Sequence, residues 1–208
     1  MGIRGEQRLP NGRFRAYLAD MFIQTEQTPN PAVLKFLPGR KVSEAGPVDL
    51  RTIDEAAASP LAEGLFQQEG VAGVFFGEDF VSVTRAADGP GWDEMKPGIL
   101  AAIMDHFVSG QPLMRGEASS GAEDIYEGEA AEIVAEIKAV LDSRIRPAVA
   151  QDGGDILFDR FEVESGVLWL HLRGACAGCP SSSATLKAGV ENMMRHYVPE
   201  VTAVEQTL

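Results

Sequence analysis

The chain has 208 residues, 45% of them hydrophobic and 24% charged, which suits one large or two small globular domains and excludes wholesale disorder. No apolar run approaches the ~20 residues of a membrane-spanning helix. A formal charge of -13, from 31 acidic and 18 basic residues, is the wrong sign for binding phosphate backbones, so neither membrane nor nucleic acid is an expected partner.

Residues 1–20 carry Arg4, Arg8, Arg13 and Arg15 against Glu6 and Asp20. Their arginine content admits a transit-peptide reading, against which they hold no serine, an acid at Glu6 and no apolar signal core. They are expected as a tail or an upstream start, with Met21 as the natural beginning. Met21 to Thr25 reads as a short strand halted by Thr28-Pro29-Asn30-Pro31, and Ala32 to Leu37 as a second strand ended by Pro38-Gly39. Ser59-Pro60 supplies an N-cap and a first helical position, and Leu61, Leu65 and Phe66 carry that helix toward Gly70. Val71 to Phe76 and Phe80 to Thr84 bracket Gly77-Glu78-Asp79 as a β-hairpin. A helix from about Trp92 to Val108 is expected to turn Ile99, Ile103, Met104 and Phe107 to the core, with His106 on its surface.

From Arg115 to Asp124 the chain is small, polar and acidic, with nothing to bury. Such a segment cannot recover its ordering entropy, so a flexible acidic linker is expected over 110–126, between domains at 21–109 and 127–208. In the second domain Ile133, Ile137, Val140, Leu141 and Ile145 define one long amphipathic helix with Pro147 near its end. Asp152-Gly153-Gly154-Asp155 is a turn; the EF-hand spacing that would make its acids a calcium site is absent. Strands follow over 156–163 and 167–172. In the latter Leu168, Leu170 and Leu172 face one way, and Val167, Trp169 and His171 face the other, where a partner surface is expected. A helix over 180–197, with Leu186, Val190, Met193, Met194 and Tyr197 as its apolar stripe, and a strand over 201–204 complete the chain. The fold class is α+β, with the second domain α-β-β-α-β and both helices on one face of a three-stranded sheet.

Chemistry concentrates in Gly174-Ala175-Cys176-Ala177-Gly178-Cys179-Pro180. Pro180 opens a helix whose first N–H groups point back at the two sulfurs, and the helix dipole favours thiolates there. Cys176 and Cys179 are the only cysteines, which rules out a disulfide-stapled secreted domain and leaves three readings. The pair is a redox dithiol in the manner of a thiol–disulfide oxidoreductase, although the βαβ unit of a thioredoxin-like fold is missing. Alternatively it is half of a zinc site, for which His171, read as an ordinary strand residue, is the only nearby histidine. Or it ligates an iron–sulfur cluster, whose four thiolates would require two chains and would suit temporary storage and delivery.

Residues 127–208 resemble the NifU-like C-terminal domain of Nfu iron–sulfur scaffold and carrier proteins. The likeness rests on Arg146-Pro147, Asp152-Gly153-Gly154-Asp155, the run from Gly174 to Ser182, Thr185-Leu186-Lys187 and Val198-Pro199-Glu200-Val201. Residues about 21–108 are similar to the N-terminal domain that accompanies it, through Met21 to Glu26 and Thr28-Pro29-Asn30-Pro31 with Leu34-Lys35-Phe36. The resemblance implies a non-enzymatic homodimer that binds a labile [4Fe–4S] cluster between subunits through Cys176 and Cys179. It further implies receipt from upstream assembly factors and delivery to apo iron–sulfur clients. The N-terminal domain has no cysteine and would assist recognition. A bacterial cytoplasm is the expected compartment, with the mitochondrial matrix as alternative.

Overall fold

A computed structural model describes residues 22–116, 126–177 and 180–207. The expected tail, most of the acidic linker and Cys179 fall outside them. The first half has β1 (Gln24–Gln27), β2 (Val33–Leu37), β3 (Val48–Leu50), α1 (Ile53–Ala56), α2 (Pro60–Phe66), β4 (Val71–Phe76), β5 (Val81–Arg85) and α3 (Trp92–Ser109). The five strands form one antiparallel sheet in the order β1-β2-β5-β4-β3.

Strand periodicity sorts this sheet's side chains into two faces. Leu34, Val83 and Val74 align in one row, and Phe36, Val81 and Phe76 in the next. Both rows are buried against Leu61 and Leu65 of α2 and Ile99 and Ile103 of α3. On the other face Glu26, Lys35, Ser82, Phe75 and Asp49 run in register across all five strands. Lys35, Ser82 and Phe75 in that row are buried too.

The short pieces β3 and α1 were not expected. A capping box starts α1: Thr52 Oγ1 accepts from the Glu55 N–H, and the Glu55 carboxylate accepts from the Thr52 N–H. Ser59 caps α2 as expected, accepting from the Ala62 N–H. The buried stripe of α3 is Met95, Ile99, Ile103 and His106, so the surface placement expected for His106 is corrected. The stripe drifts around the helix, leaving Met104 and Phe107 half-buried. At the near end of the expected linker, Arg115 donates to Ala57 O and pairs with Glu63, holding it to α2.

The second half runs α4 (Glu129–Val140), a π-helical turn (Leu141–Ile145), α5 (Arg146–Gln151), β6 (Gly154–Glu162), β7 (Val167–Gly174), α6 (Pro180–Tyr197) and β8 (Ala203–Thr207). The expected long helix therefore contains a widened turn. Proline lacks an N–H and its ring would strike the carbonyl four residues back, and the wide turn directly precedes Pro147. The Arg146 N–H reaches Leu141 O across it.

The sheet order is β6-β7-β8, with β6 antiparallel and β8 parallel to β7. A bulge between Phe158 and Arg160 returns Phe161 to the side of Leu168. Leu168, Leu170 and Leu172 form one core with Ile137, Leu141 and Val149 from the first helical stretch and Val190 and Met194 from α6. Both helices cover one face, as expected. Val190 and Met194 form the buried ridge of α6, which the buried Val198 continues just past the helix end, while Met193 and Tyr197 are each 37% exposed, a correction to the expected stripe. The half-buried Trp169 occupies the outer face, its ring under the Arg160 guanidinium at 4.2 Å and its N–H donating to Glu162 at 3.0 Å.

Candidate functional site

Cys176 lies two residues beyond the end of β7, in a turn closed by Ala177 N–H to Gly174 O at 3.1 Å. The Ala175 N–H donates to Gly153 O at 3.2 Å, tying this turn to the one before β6. The glycines at the join have separate reasons. Gly174 has φ +60, and a Cβ there would sit 2.8 Å from Gly153 O. At Gly154 a Cβ would lie 2.6 Å from Cys176 Sγ, so the bare backbone is the seat of the sulfur.

Cys176 is 7% exposed. It lines a cavity of about 620 Å³ whose walls include Ile145, Val149, Leu186, Met193 and, from the first half, Pro29. A sulfur seated on glycine beside an apolar cavity suits a soft metal or cluster, because thiolate is a strong ligand and the cavity, not the filled space over the glycine, has room for a bulky group. His171 is on the outer sheet face opposite Leu157 and does not line this cavity. Among the described residues no three His, Cys, Asp or Glu side chains are grouped to hold a metal ion.

One ion-pair system braces the site. Arg146 binds the buried Asp155 through two bonds, Nε to Oδ1 at 2.9 Å and Nη2 to Oδ2 at 3.1 Å, and reaches Asp142 at 2.8 Å. Bonding to Asp155 holds the guanidinium charged even above its ordinary range, against the opposing effect of burial and with help from Asp142. The bridge fixes the start of α5 to the start of β6 and so sets the Gly153-Gly154 turn.

No sequence signal marks the first half's contribution. Asn30 lies in the expected turn and Lys35 and Ser82 are polar residues within expected strands, yet all three are buried and reach the second half's backbone around Cys176. Only Phe75, an aromatic in register with that polar row, hints that the face is covered.

Comparison with known proteins follows the same two halves. Residues 23–110 match the family described as scaffold protein Nfu/NifU N terminal, and residues 137–205 match the NifU-like domain. The chain is 52% identical over 187 residues to NifU-like protein 4, mitochondrial, of Arabidopsis thaliana, covering 89% of this chain and 66% of that protein. It is 50% identical over 188 residues to the NFU1 iron-sulfur cluster scaffold homolog, mitochondrial, of Homo sapiens, covering 90% and 72%. The chain thus spans about two thirds of the length of these relatives. Among solved structures, the solution structure of a NifU-like protein from Saccharomyces cerevisiae aligns at 24% identity and TM-score 0.43, covering 56% of this chain and 100% of that one.

Proposed function

The chain belongs to the Nfu/NifU scaffold family, and from that premise we propose that it carries a labile [4Fe–4S] cluster between two copies of itself and hands it to apo-proteins. An iron–sulfur scaffold or carrier role is what the family supports. The bridged cubane and its ligands, Cys176 and Cys179, are our reading. The observation that carries it is the glycine-seated Cys176 beside an apolar cavity, in a chain that has only one other cysteine.

A fully thiolate-ligated cubane needs four sulfurs, so each chain brings half the shell. Delivery is then ligand exchange. An acceptor's cysteine thiolate replaces Cys176 or Cys179 on one iron, the displaced thiolate takes up a proton, and no electrons move. Because the cargo is transferred intact, the chain acts as a carrier and not as an enzyme. In this reading 127–208 is the carrier domain, joined through 110–126 to an accessory domain at 21–109. Partners are the second copy, upstream assembly factors and apo iron–sulfur clients. Relatives named as mitochondrial favour the matrix, and the bacterial cytoplasm expected first has no support among them.

Anaerobic reconstitution with iron and sulfide tests the assignment. Broad visible absorption from sulfur-to-iron charge transfer is expected, and Cys176→Ser or Cys179→Ser should abolish it with the fold retained. Colour that survives both substitutions overturns the ligand assignment. Turnover as a dithiol oxidoreductase without iron, or a colourless zinc-loaded dimer, overturns the function.

A further inference from the structure

The first sheet has two buried faces. Its own helices cover one; on the other the second half covers Lys35, Ser82 and Phe75, the middle of the row that begins at the exposed Glu26 and ends at the half-buried Asp49. Ser82 Oγ donates to Gly153 O at 2.7 Å. Lys35 Nζ donates to Ala150 O at 3.1 Å and Gln151 O at 3.2 Å, the last carbonyls of α5, where a cation also meets the negative helix end. Asn30 Nδ2 donates to Ala175 O at 3.2 Å, and Arg51 Nη2 to Leu172 O at 3.2 Å. A Cβ on Gly153 would lie 2.9 Å from Ser82 Oγ, and one on Gly174 would lie 3.0 Å from the Phe75 ring. Every one of these acceptors is a backbone carbonyl in residues 150–153 or 172–175, the two segments that seat Cys176.

The donor loop is braced by its own hydrogen bonds. Asn30 Oδ1 accepts from the Ala32 N–H at 3.0 Å, and Thr28 Oγ1 both accepts from the Asn30 N–H and donates to Asn30 O. That fixes Pro29 against the Cys176 cavity. We propose that the first half is a clamp on the cysteine turn: Asn30, Lys35 and Ser82 are positioning residues that hold Cys176 in its buried seat, and the sulfur is released to a second chain or an acceptor when these bonds open. The clamp rests on the reading of Cys176 as a cluster ligand for its meaning, though not for its test.

The test uses the full-length, iron-free chain carrying Cys179→Ser, so that maleimide alkylation reports on Cys176 alone. Asn30→Asp keeps the acceptor for Ala32 N–H and turns an oxygen toward Ala175 O; Ser82→Ala removes the donor to Gly153 O. Loss of one buried hydrogen bond should raise the alkylation rate about tenfold, since the reaction samples the locally opened state. Ser59→Ala is the control: it removes a fully buried cap within the first half and should leave the rate at the parent value. If Ser82→Ala fails to fold, Lys35→Met replaces it. Unchanged rates in the clamp variants, or equal acceleration by Ser59→Ala, overturn the clamp. A wild-type chain that accepts no cluster while the clamp variants still react faster overturns the cluster reading instead.

Discussion

At the scale of single residues, the space around Cys176 Sγ is set by an absent methyl group. A Cβ on Gly154 would sit 2.6 Å from that sulfur and 2.8 Å from Arg173 O, so the strand backbone and the cysteine turn would have to shift to admit it. Gly154→Ala should therefore lower stability by about 1–3 kcal/mol, measured by urea unfolding, and displace the sulfur enough to weaken cluster retention after reconstitution. Retention and stability both at the wild-type level would remove the seat. His106 provides a separate test. It is 8% exposed, its Nδ1 is buried with no hydrogen-bond partner among the described residues, and burial pushes its pKa below the usual 6.5. The unfolded chain then binds the proton more readily than the native one. Its contribution is complete above pH 6.5 and is lost as pH falls from there toward the lowered native value. His106→Leu should flatten that part of the stability profile; an identical acid-side slope in the variant would contradict the burial. Neither feature is legible in sequence. Helical spacing admits Phe107 or His106 to the stripe, and only the packed helix decides, whereas Cys176 and its glycines stand out as residue types whatever the fold.

The brace between elements is the Arg146–Asp155 pair. Asp155 is buried at the start of β6 and its two oxygens are matched to the guanidinium fork, so removing Arg146 strands a carboxylate in the interior. Arg146→Met should cost about 3–5 kcal/mol in chemical denaturation, and adding Asp155→Leu should restore part of it. Equal loss in the single and double variants would show that packing, not charge, matters there. Element boundaries were legible wherever a local rule acts alone: Ser59-Pro60 starts α2, Pro180 starts α6, and alternating leucines mark β7. The π-turn ahead of Pro147 was not, because apolar spacing reads the same through a widened turn. The Thr52–Glu55 capping box is a sequence signal for α1, but a helix of four residues has no apolar periodicity to support it. Met193 and Tyr197 share the apolar spacing of the helix but flank the ridge that Val190, Met194 and Val198 bury.

Across the whole molecule, the two sheets meet through hydrogen bonds aimed at backbone carbonyls. That is why the covering of the first half's inner polar row has no mark in the sequence: its acceptors carry no side-chain signature. The α+β class and the α-β-β-α-β order of the second half were legible because each strand and helix follows its own period, whereas the covering of one half by the other has no period to read. Both halves adjoin a site with too few sulfurs for a fully thiolate-ligated cubane in one chain, so a cluster there needs a second chain. Anaerobic native mass spectrometry of the reconstituted full-length chain tests it most directly. One [4Fe–4S] cluster is predicted for each pair of chains, with the pair separating into apo monomers as an acceptor protein takes the cluster. A single chain that holds a complete cluster by itself, and keeps it when the acceptor is added, would contradict the account.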